Sequence, residues 1–160
     1  MRALVLDGQL RLDADAPMPQ PQGDQALLKI RKAGICRTDL ELIGGYMNFS
    51  GVLGHEFVAE VVDGSDEWLG KRVVGEINVA CGECDFLPAR YTEPVSQSHD
   101  RRYRPSSRRI CRLPCAHDFR NLFAVPDNVP DDAAVFAEPL AAALQIFEAQ
   151  QISPRDRVLK

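Results

Sequence analysis

Long apolar runs are absent from this 160-residue sequence, and so is an excess of positive charge. No segment approaches the roughly 18 apolar residues that a membrane-spanning helix needs. The apolar run near the start is interrupted by Asp7 and Arg11, unlike the continuous apolar centre of a signal peptide. A net charge of -4 and a pI near 5.4 create no overall attraction to nucleic acid or anionic lipid. The sequence therefore indicates neither a membrane partner nor a nucleic-acid partner.

The number of cysteines is odd. Five cysteines without a secretion signal indicate a reducing compartment, in which thiols ligate metals or stay free. We therefore expect a cytoplasmic protein. With 45% hydrophobic and 26% charged residues, the composition is that of an ordinary globular domain with one compact core.

Short apolar runs separated by turn residues fill the first half of the chain. Runs of this kind are typical of β-strands, and they occur at residues 3–6, 26–30, 57–62 and 72–74. The intervening glycines and prolines are spaced as in a small all-β barrel. After residue 120 the pattern predicts a short strand at 121–126 and a helix at 133–150, which Pro130 and two aspartates introduce.

The segment 87–120 contains no glycine but eight arginines and four prolines. Its apolar residues follow no period, which is typical of a solvated or poorly ordered loop. A basic arm for phosphates is the other interpretation, but Tyr91 and Tyr103 are its only stacking tyrosines and no nucleic-acid motif surrounds them. We therefore favour the loop.

Three residues suited to metal chemistry lie in two short motifs. Cys36 stands in G-I-C-R-T-D-L, and His55 with Glu56 stands in G-H-E-F. Thiolate, imidazole and carboxylate are ligands that zinc takes in catalytic sites, where three protein groups leave one position open. Taken singly, Cys36 is more simply a buried core thiol and His55 a hydrogen-bonded strand histidine.

The order of the motifs resembles the zinc-dependent medium-chain alcohol dehydrogenase family. G-I-C-R-T-D is followed by G-H-E, then by L-G-K-R-V-V-G at 69–75 and by C-G-E-C. The likeness covers residues 1–86 and resumes from residue 121 to the end. It implies a GroES-like barrel catalytic domain, mainly β with helices, in residues 1–130. Residues 131–160 would then form a linking helix and the first strand of a Rossmann cofactor domain that is otherwise absent.

The resemblance also implies a set of zinc ligands. Cys36 and His55 would ligate the catalytic zinc, and Glu56 would be a ligand or near-ligand that exchanges with substrate. The motif F-A-E-P-L is similar to the family's form with a glutamate before proline, which makes Glu138 the third ligand. Without the resemblance, Glu138 would be a helix-face carboxylate before a helix-kinking Pro139.

Three further roles follow from the same likeness. Thr38 would hydrogen-bond the substrate hydroxyl and begin a proton relay. Asp39 would accept a hydrogen bond from His55 and fix its tautomer. Arg37 matches a position that can contact the pyrophosphate of NAD or NADP. The E-P-L form points to polyol, sugar and threonine dehydrogenases, whereas the particular alcohol, the choice of nicotinamide cofactor and a homo-oligomer, as full-length members can form, stay open.

The sequence departs from the family in two places. Ala59 replaces a common glycine, where we expect a small cost in strain. Cys81 and Cys84 match half of a structural zinc site, but Leu87 stands where the third thiolate is expected. Because two thiolates cannot close a tetrahedral site, these cysteines form a remnant, unless two later cysteines, Cys111 and Cys115, complete it.

We hypothesise that residues 87–118 are translated out of frame, between two compensating shifts, and are poorly ordered. The likeness stops abruptly after Phe86 and restarts abruptly near Asn121. Reading the coding DNA in its other two frames tests this hypothesis, because one of them should then yield the missing cysteines.

Two functions are compatible with these sequence features. The leading one is a zinc-dependent oxidoreductase that transfers hydride from an alcohol or polyol to NAD(P). We expect this polypeptide alone to be inactive, because the dinucleotide site lies beyond Lys160 in the family. The alternative is a non-catalytic zinc-binding barrel or interaction module from a disrupted gene. The zinc-free quinone reductase branch is opposed by Cys36, His55 and Glu56 together.

Overall fold

The computed structural model describes residues 1–77 and 116–149, the latter with the side chains of 119–146. Within these ranges the chain forms two antiparallel sheets and three α-helices, so the predicted mainly β fold with helices is confirmed. The strands are β1 (Ala3–Asp7), β2 (Gln9–Asp13), β3 (Gln25–Ala33), β4 (Gly51–Val52), β5 (Phe57–Asp63), β6 (Arg72–Gly75), β7 (Ala116–Asp118) and β8 (Leu122–Ala124). The helices are α1 (Arg37–Ile43), α2 (Asp131–Ala134) and α3 (Ala137–Ala149). None of the helices in these ranges has the length and hydropathy of a membrane span.

The smaller sheet has the strand order β2-β1-β4 and holds α1 in place. A hairpin joins β1 to β2 through Gly8, whose φ of 70° favours glycine. Leu6 of β1 packs with Leu53 and with Leu42 of α1 in a buried cluster. This packing fixes the helix that follows Cys36.

The larger sheet has the order β7-β3-β5-β6-β8 and contains the main core. Alternate side chains of its central strands point to one face, as the two-residue period of a strand requires. The buried members of this core are Ala26, Leu28, Phe57, Ala59, Val61, Val73 and Leu122. Ala59 is fully buried in β5, opposite a register shift in β3, and the described non-glycine residues with positive φ are Met47 and Asn48. The strain expected at Ala59 is therefore not seen in its backbone.

The opposite face of this sheet is covered by α2. Val58 is fully buried there against Ala134 and Val135. Asp131, at the start of α2, accepts hydrogen bonds from Arg72 at 2.7 Å and from Arg31 at 2.8 Å. Apolar contact and ion pairing together hold the region before α3 against the sheet.

The prediction of a single helix at 133–150 is wrong. The structure has two helices, α2 and α3, with a break at Val135 and Phe136. Proline lacks an amide hydrogen, and its ring collides with the carbonyl four residues earlier in a continuous helix. For Pro139 that carbonyl belongs to Val135. The break before α3 places Pro139 in the first turn, where its missing amide has no helical partner to lose. Pro139 therefore lies in the first turn of α3, after the break, and does not kink a continuous helix.

The predicted aberrant segment falls mainly outside the described residues. Predictions for Cys81, Cys84, Cys111 and Cys115, and for the order of the segment around them, fall outside the described ranges. The last three residues of the segment, Ala116–Asp118, form β7 and pair with β3 at Gln25, Ala26 and Leu27.

Candidate metal centre

The start of α1 fixes the position of Cys36. Cys36 is the N-cap residue, and its Sγ accepts a hydrogen bond from the Thr38 amide at 3.2 Å. Its own amide donates to Asp39 Oδ2 at 2.9 Å. This reciprocal pair is a capping box in which cysteine replaces the usual serine or threonine. The local sequence thus places a thiol and a carboxylate side by side.

His55 lies in the turn before β5 and points into the protein. The preceding Gly54 has a φ of 122°, a conformation that favours glycine. The His55 side chain is 5% exposed, and its Nε2 lies 3.0 Å from Cys36 Sγ. The imidazole therefore faces the thiol with one of its two nitrogens.

The other nitrogen of His55 faces Asp39. Nδ1 lies 3.4 Å from Asp39 Oδ1, close enough for electrostatic pairing but long for a hydrogen bond. Neither atom has another hydrogen-bond partner among the described residues, although both are buried. A small rotation that lets Nδ1–H donate to Oδ1 would leave Nε2 unprotonated and able to bind a metal.

Two carboxylates complete the cluster from other parts of the chain. Glu56 follows His55 directly and is 6% exposed, whereas Glu138 is the second residue of α3. Ligand atoms of His55, Glu56 and Glu138 all lie within 4.8 Å of one another, and so do those of Cys36, Asp39 and His55. His55 belongs to both groups and joins them.

The electrostatics of the cluster suit a cation. Burial raises the pKa of the Glu138 carboxyl, and the nearby carboxylates Glu56, Glu76 and Asp39 raise it further, while His55 lowers it. Several acidic groups thus repel one another in a partly dry site. A bound cation relieves this repulsion because it lies between the negative charges.

The donor set fits zinc in kind and nearly in spacing. Thiolate, imidazole and carboxylate are all common zinc ligands. A sulfur and a nitrogen on one tetrahedral zinc lie about 3.5 Å apart, whereas Sγ of Cys36 and Nε2 of His55 are 3.0 Å apart. These two atoms therefore have to separate by about half an ångström to share an ion.

Two of the predicted residues lie at the edge of the cluster. Thr38 is half-buried and adjoins it through the amide bond to Cys36 Sγ. Arg37 is separate from it, since its side chain is 83% exposed and pairs with Glu41 at 3.1 Å. An exposed arginine beside the site can reach a ligand in solution, but it does not contribute to holding a metal.

Sequence reasoning missed two residues of the site. Glu76 ends up near Glu138 because it directly follows β6. Gly34 lies directly against the Glu56 carboxylate. A carboxylate at the end of a core strand was a usable signal for Glu76, whereas the contact of Gly34 depends on the pairing of two strands.

Comparison with known proteins agrees with the fold. Residues 22–97 match the model of the alcohol dehydrogenase GroES-like domain. The chain is 32% identical to an erythritol/L-threitol dehydrogenase of Mycolicibacterium smegmatis, over 99% of this chain and 50% of that protein. It is 35% identical to an L-threonine 3-dehydrogenase of Chelativorans sp., over 80% of this chain and 40% of that protein. An alcohol dehydrogenase of E. coli CFT073, solved with NADH, superposes with a TM-score of 0.74 at 21% identity, over 98% of this chain and 47% of that one.

These features define a GroES-like domain with a cluster of potential metal ligands. Residues 22–97 belong to the alcohol dehydrogenase GroES-like domain family, and the chain is similar to a polyol dehydrogenase over nearly its whole length, as its sequence motifs predict. It spans about half the length of the curated relatives it matches.

Proposed function

We propose that this chain is the metal-binding half of a zinc-dependent alcohol or polyol dehydrogenase that uses NAD or NADP. The observation that carries the proposal is that a buried imidazole, His55, joins a group with Cys36 and Asp39 to a second group with Glu56 and Glu138. These groups come from α1, from the turn before β5 and from α3. Convergence from three separate segments is hard to attribute to packing alone, since buried ionisable groups are costly unless they are paired or bind a metal.

Each residue of the cluster takes a distinct part in the proposed site. Cys36, His55 and Glu138 would hold the zinc, and Glu56 would serve as a ligand or near-ligand that yields to substrate. Asp39 orients the imidazole from its Nδ1 side. We assign to the hydroxyl of Thr38 a hydrogen bond with the substrate hydroxyl, through which it would begin a proton relay by passing its own proton onward as it takes up that of the alcohol. When bound, zinc supplies Lewis acidity that weakens the O–H bond of an alcohol.

Substrate and cofactor are proposed from the relatives. The matched proteins are named for erythritol, threitol and threonine, which all carry a secondary hydroxyl, so we propose an alcohol or polyol substrate for this chain. NADH in the related E. coli structure supports a nicotinamide cofactor. Arg37 is exposed at the start of α1 and could pair with the cofactor pyrophosphate. A thiol ligand needs a reducing environment, which supports a cytoplasmic location.

Zinc binding tests the proposal directly. The chain carrying Cys81→Ser and Cys84→Ser, which removes the remnant thiols, should retain one zinc per chain in equilibrium dialysis. Adding His55→Ala should abolish that zinc. His117→Ala, which alters a histidine of β7, should leave it unchanged. Absence of zinc from the chain that retains His55 contradicts the proposal.

A second candidate function is a zinc-binding module without catalysis. Its support is the same set of potential metal ligands, which can hold an ion without a dinucleotide site. A hydride-transfer assay of the 160-residue chain with NAD or NADP and a panel of alcohols and polyols separates the two. We expect no turnover from this polypeptide alone, and turnover that is lost in His55→Ala would show that it is a complete enzyme.

A further inference from the structure

We propose that Gly34 is a positioning residue for the Glu56 carboxylate, and that its lack of a side chain is needed for full metal affinity at this site. The inference rests on the proposed function, because it assumes that Glu56 acts at the zinc. Gly34 lies between β3 and Cys36. Gly34 is therefore two residues from Cys36, one proposed ligand, and in contact with Glu56, another.

The contact between Gly34 and Glu56 leaves no room for a methyl group. A Cβ built on Gly34 would lie 2.3 Å from Glu56 Oε2 and 3.1 Å from Glu56 Cβ. Both distances are shorter than ordinary van der Waals contact. The Glu56 side chain thus lies directly on the backbone of Gly34.

The two backbones cannot readily separate to relieve such a clash. The Gly34 amide donates to the Glu56 carbonyl at 2.8 Å. The adjacent residues Ala33 and Phe57 form a registered pair of β3 and β5, and Phe57 belongs to the main core. A side chain at position 34 must therefore displace the Glu56 carboxylate, which is the flexible partner.

Displacement of this carboxylate alters the metal cluster. Glu56 is 6% exposed, and its ligand atom lies within 4.8 Å of those of His55 and Glu138. A rotation of the Glu56 carboxylate away from Gly34 changes its distances to His55 and to Glu138. Groups that orient zinc ligands typically alter metal affinity about 10–100-fold when they are replaced.

The test is a double-mutant cycle read by Co²⁺ titration of the full chain in the Cys81→Ser and Cys84→Ser background. Gly34→Ala should weaken Co²⁺ binding at least about tenfold and shift the visible d–d bands of bound Co²⁺. With Glu56→Ala also present, Gly34→Ala should change the affinity by less than about twofold, because the group that it displaces is gone. Glu56→Gln keeps the size of the side chain, so Gly34→Ala should still weaken binding in that background.

Three results would overturn the inference. Unchanged affinity and spectrum in Gly34→Ala would show that the carboxylate is not displaced, or that its position is immaterial. An equal loss with and without Glu56 would show that Gly34 acts through the fold. If Gly34→Ala does not fold by circular dichroism, Glu56→Ala should restore folding, and failure to restore it also counts against the inference. Absence of Co²⁺ binding in the parent chain would instead reject the proposed function.

Discussion

At the scale of single residues, the proposed site depends on the different partners of the two ring nitrogens of His55. Nε2 faces the thiol of Cys36 at 3.0 Å, and Nδ1 faces Asp39 at 3.4 Å. A carboxylate on the Nδ1 side keeps the proton there and leaves Nε2 free for a metal. Asp39 also accepts from the Cys36 amide, so one side chain orients two proposed ligands.

Replacing Asp39 by asparagine should weaken zinc binding about 10–100-fold, because the charge that orients His55 is lost. The asparagine side chain retains an oxygen that can accept from the Cys36 amide, so the capping box should largely survive. Asp39→Ala removes both functions and should further lower the free energy of unfolding of the metal-free chain by about 1 kcal/mol. Zinc titration and urea unfolding of both variants measure the two effects. Zinc affinity in Asp39→Asn equal to that of the parent would contradict this role.

The sequence could reveal only part of this residue-level arrangement. Cys36, His55 and Glu56 stand in recognisable motifs, so their pairing was predictable from ligand chemistry together with family resemblance. Glu138 is about 80 residues from His55 along the chain, and its proposed role as a ligand followed from resemblance alone. The contact of Gly34 with Glu56 could not be predicted, because it depends on the register of two strands.

At the scale of elements, α2 is held to the sheet by apolar packing and by ion pairs. Val58 packs against Ala134 and Val135 without exposure to solvent. Arg31 and Arg72 bind Asp131 at the first residue of α2. Because α3 follows two residues after α2, this attachment also places Glu138.

Val58→Ala should lower the free energy of unfolding by about 2 kcal/mol, since two buried methyl groups are lost and a cavity remains. Val62→Ala is the matched control on the same strand, because Val62 is 41% exposed, and it should cost less than about 0.5 kcal/mol. Urea unfolding of the two variants gives both values. Equal costs would show that Val58 does not join α2 to the sheet.

Asp131 should make the attachment of α2 sensitive to acid. The hydrogen bonds from Arg31 and Arg72 lower the pKa of its carboxyl below the ordinary value of 3.8. A carboxyl whose pKa is lowered by folding stabilises the protein above its unfolded pKa, and that contribution is lost as pH falls through the folded pKa. Asp131→Asn should therefore be less stable than the parent at pH 7, and the difference should shrink below pH 3.8.

Thermal unfolding between pH 2 and pH 7 measures this dependence. Asp132→Asn is the control, because the Asp132 side chain is 79% exposed and surface pairs contribute little. A stability difference for Asp131→Asn that stays constant over the whole pH range would exclude the ionic network as its source.

The elements differ in how well the sequence predicted them. The four apolar runs of the first half became β1, β3, β5 and β6 within one to three residues. The helix α1 was missed because it has seven residues, too few to show a period, and its N-cap is a cysteine. The signal that could have found it is Cys36 with Asp39 three residues later, which is the spacing of a capping box.

At the scale of the whole molecule, the two sheets and α3 meet where the proposed ligands lie. The smaller sheet fixes α1 and hence Cys36, while the larger sheet fixes β5, next to His55 and Glu56. The third segment is α3, which carries Glu138 and follows α2 on the other face of the larger sheet. The fold class was predictable from strand and turn patterns, but the way in which three elements converge on His55 was available only through resemblance to the family.

The most direct test of the central claim is zinc K-edge X-ray absorption of the zinc-loaded chain in the Cys81→Ser and Cys84→Ser background. The proposed site predicts one Zn–S distance of about 2.3 Å together with nitrogen and oxygen ligands at about 2.0–2.1 Å. The sulfur should disappear from the first coordination shell in Cys36→Ser. A zinc with no sulfur ligand in the parent chain, or with a sulfur that persists in Cys36→Ser, would contradict a metal centre built on Cys36 and His55.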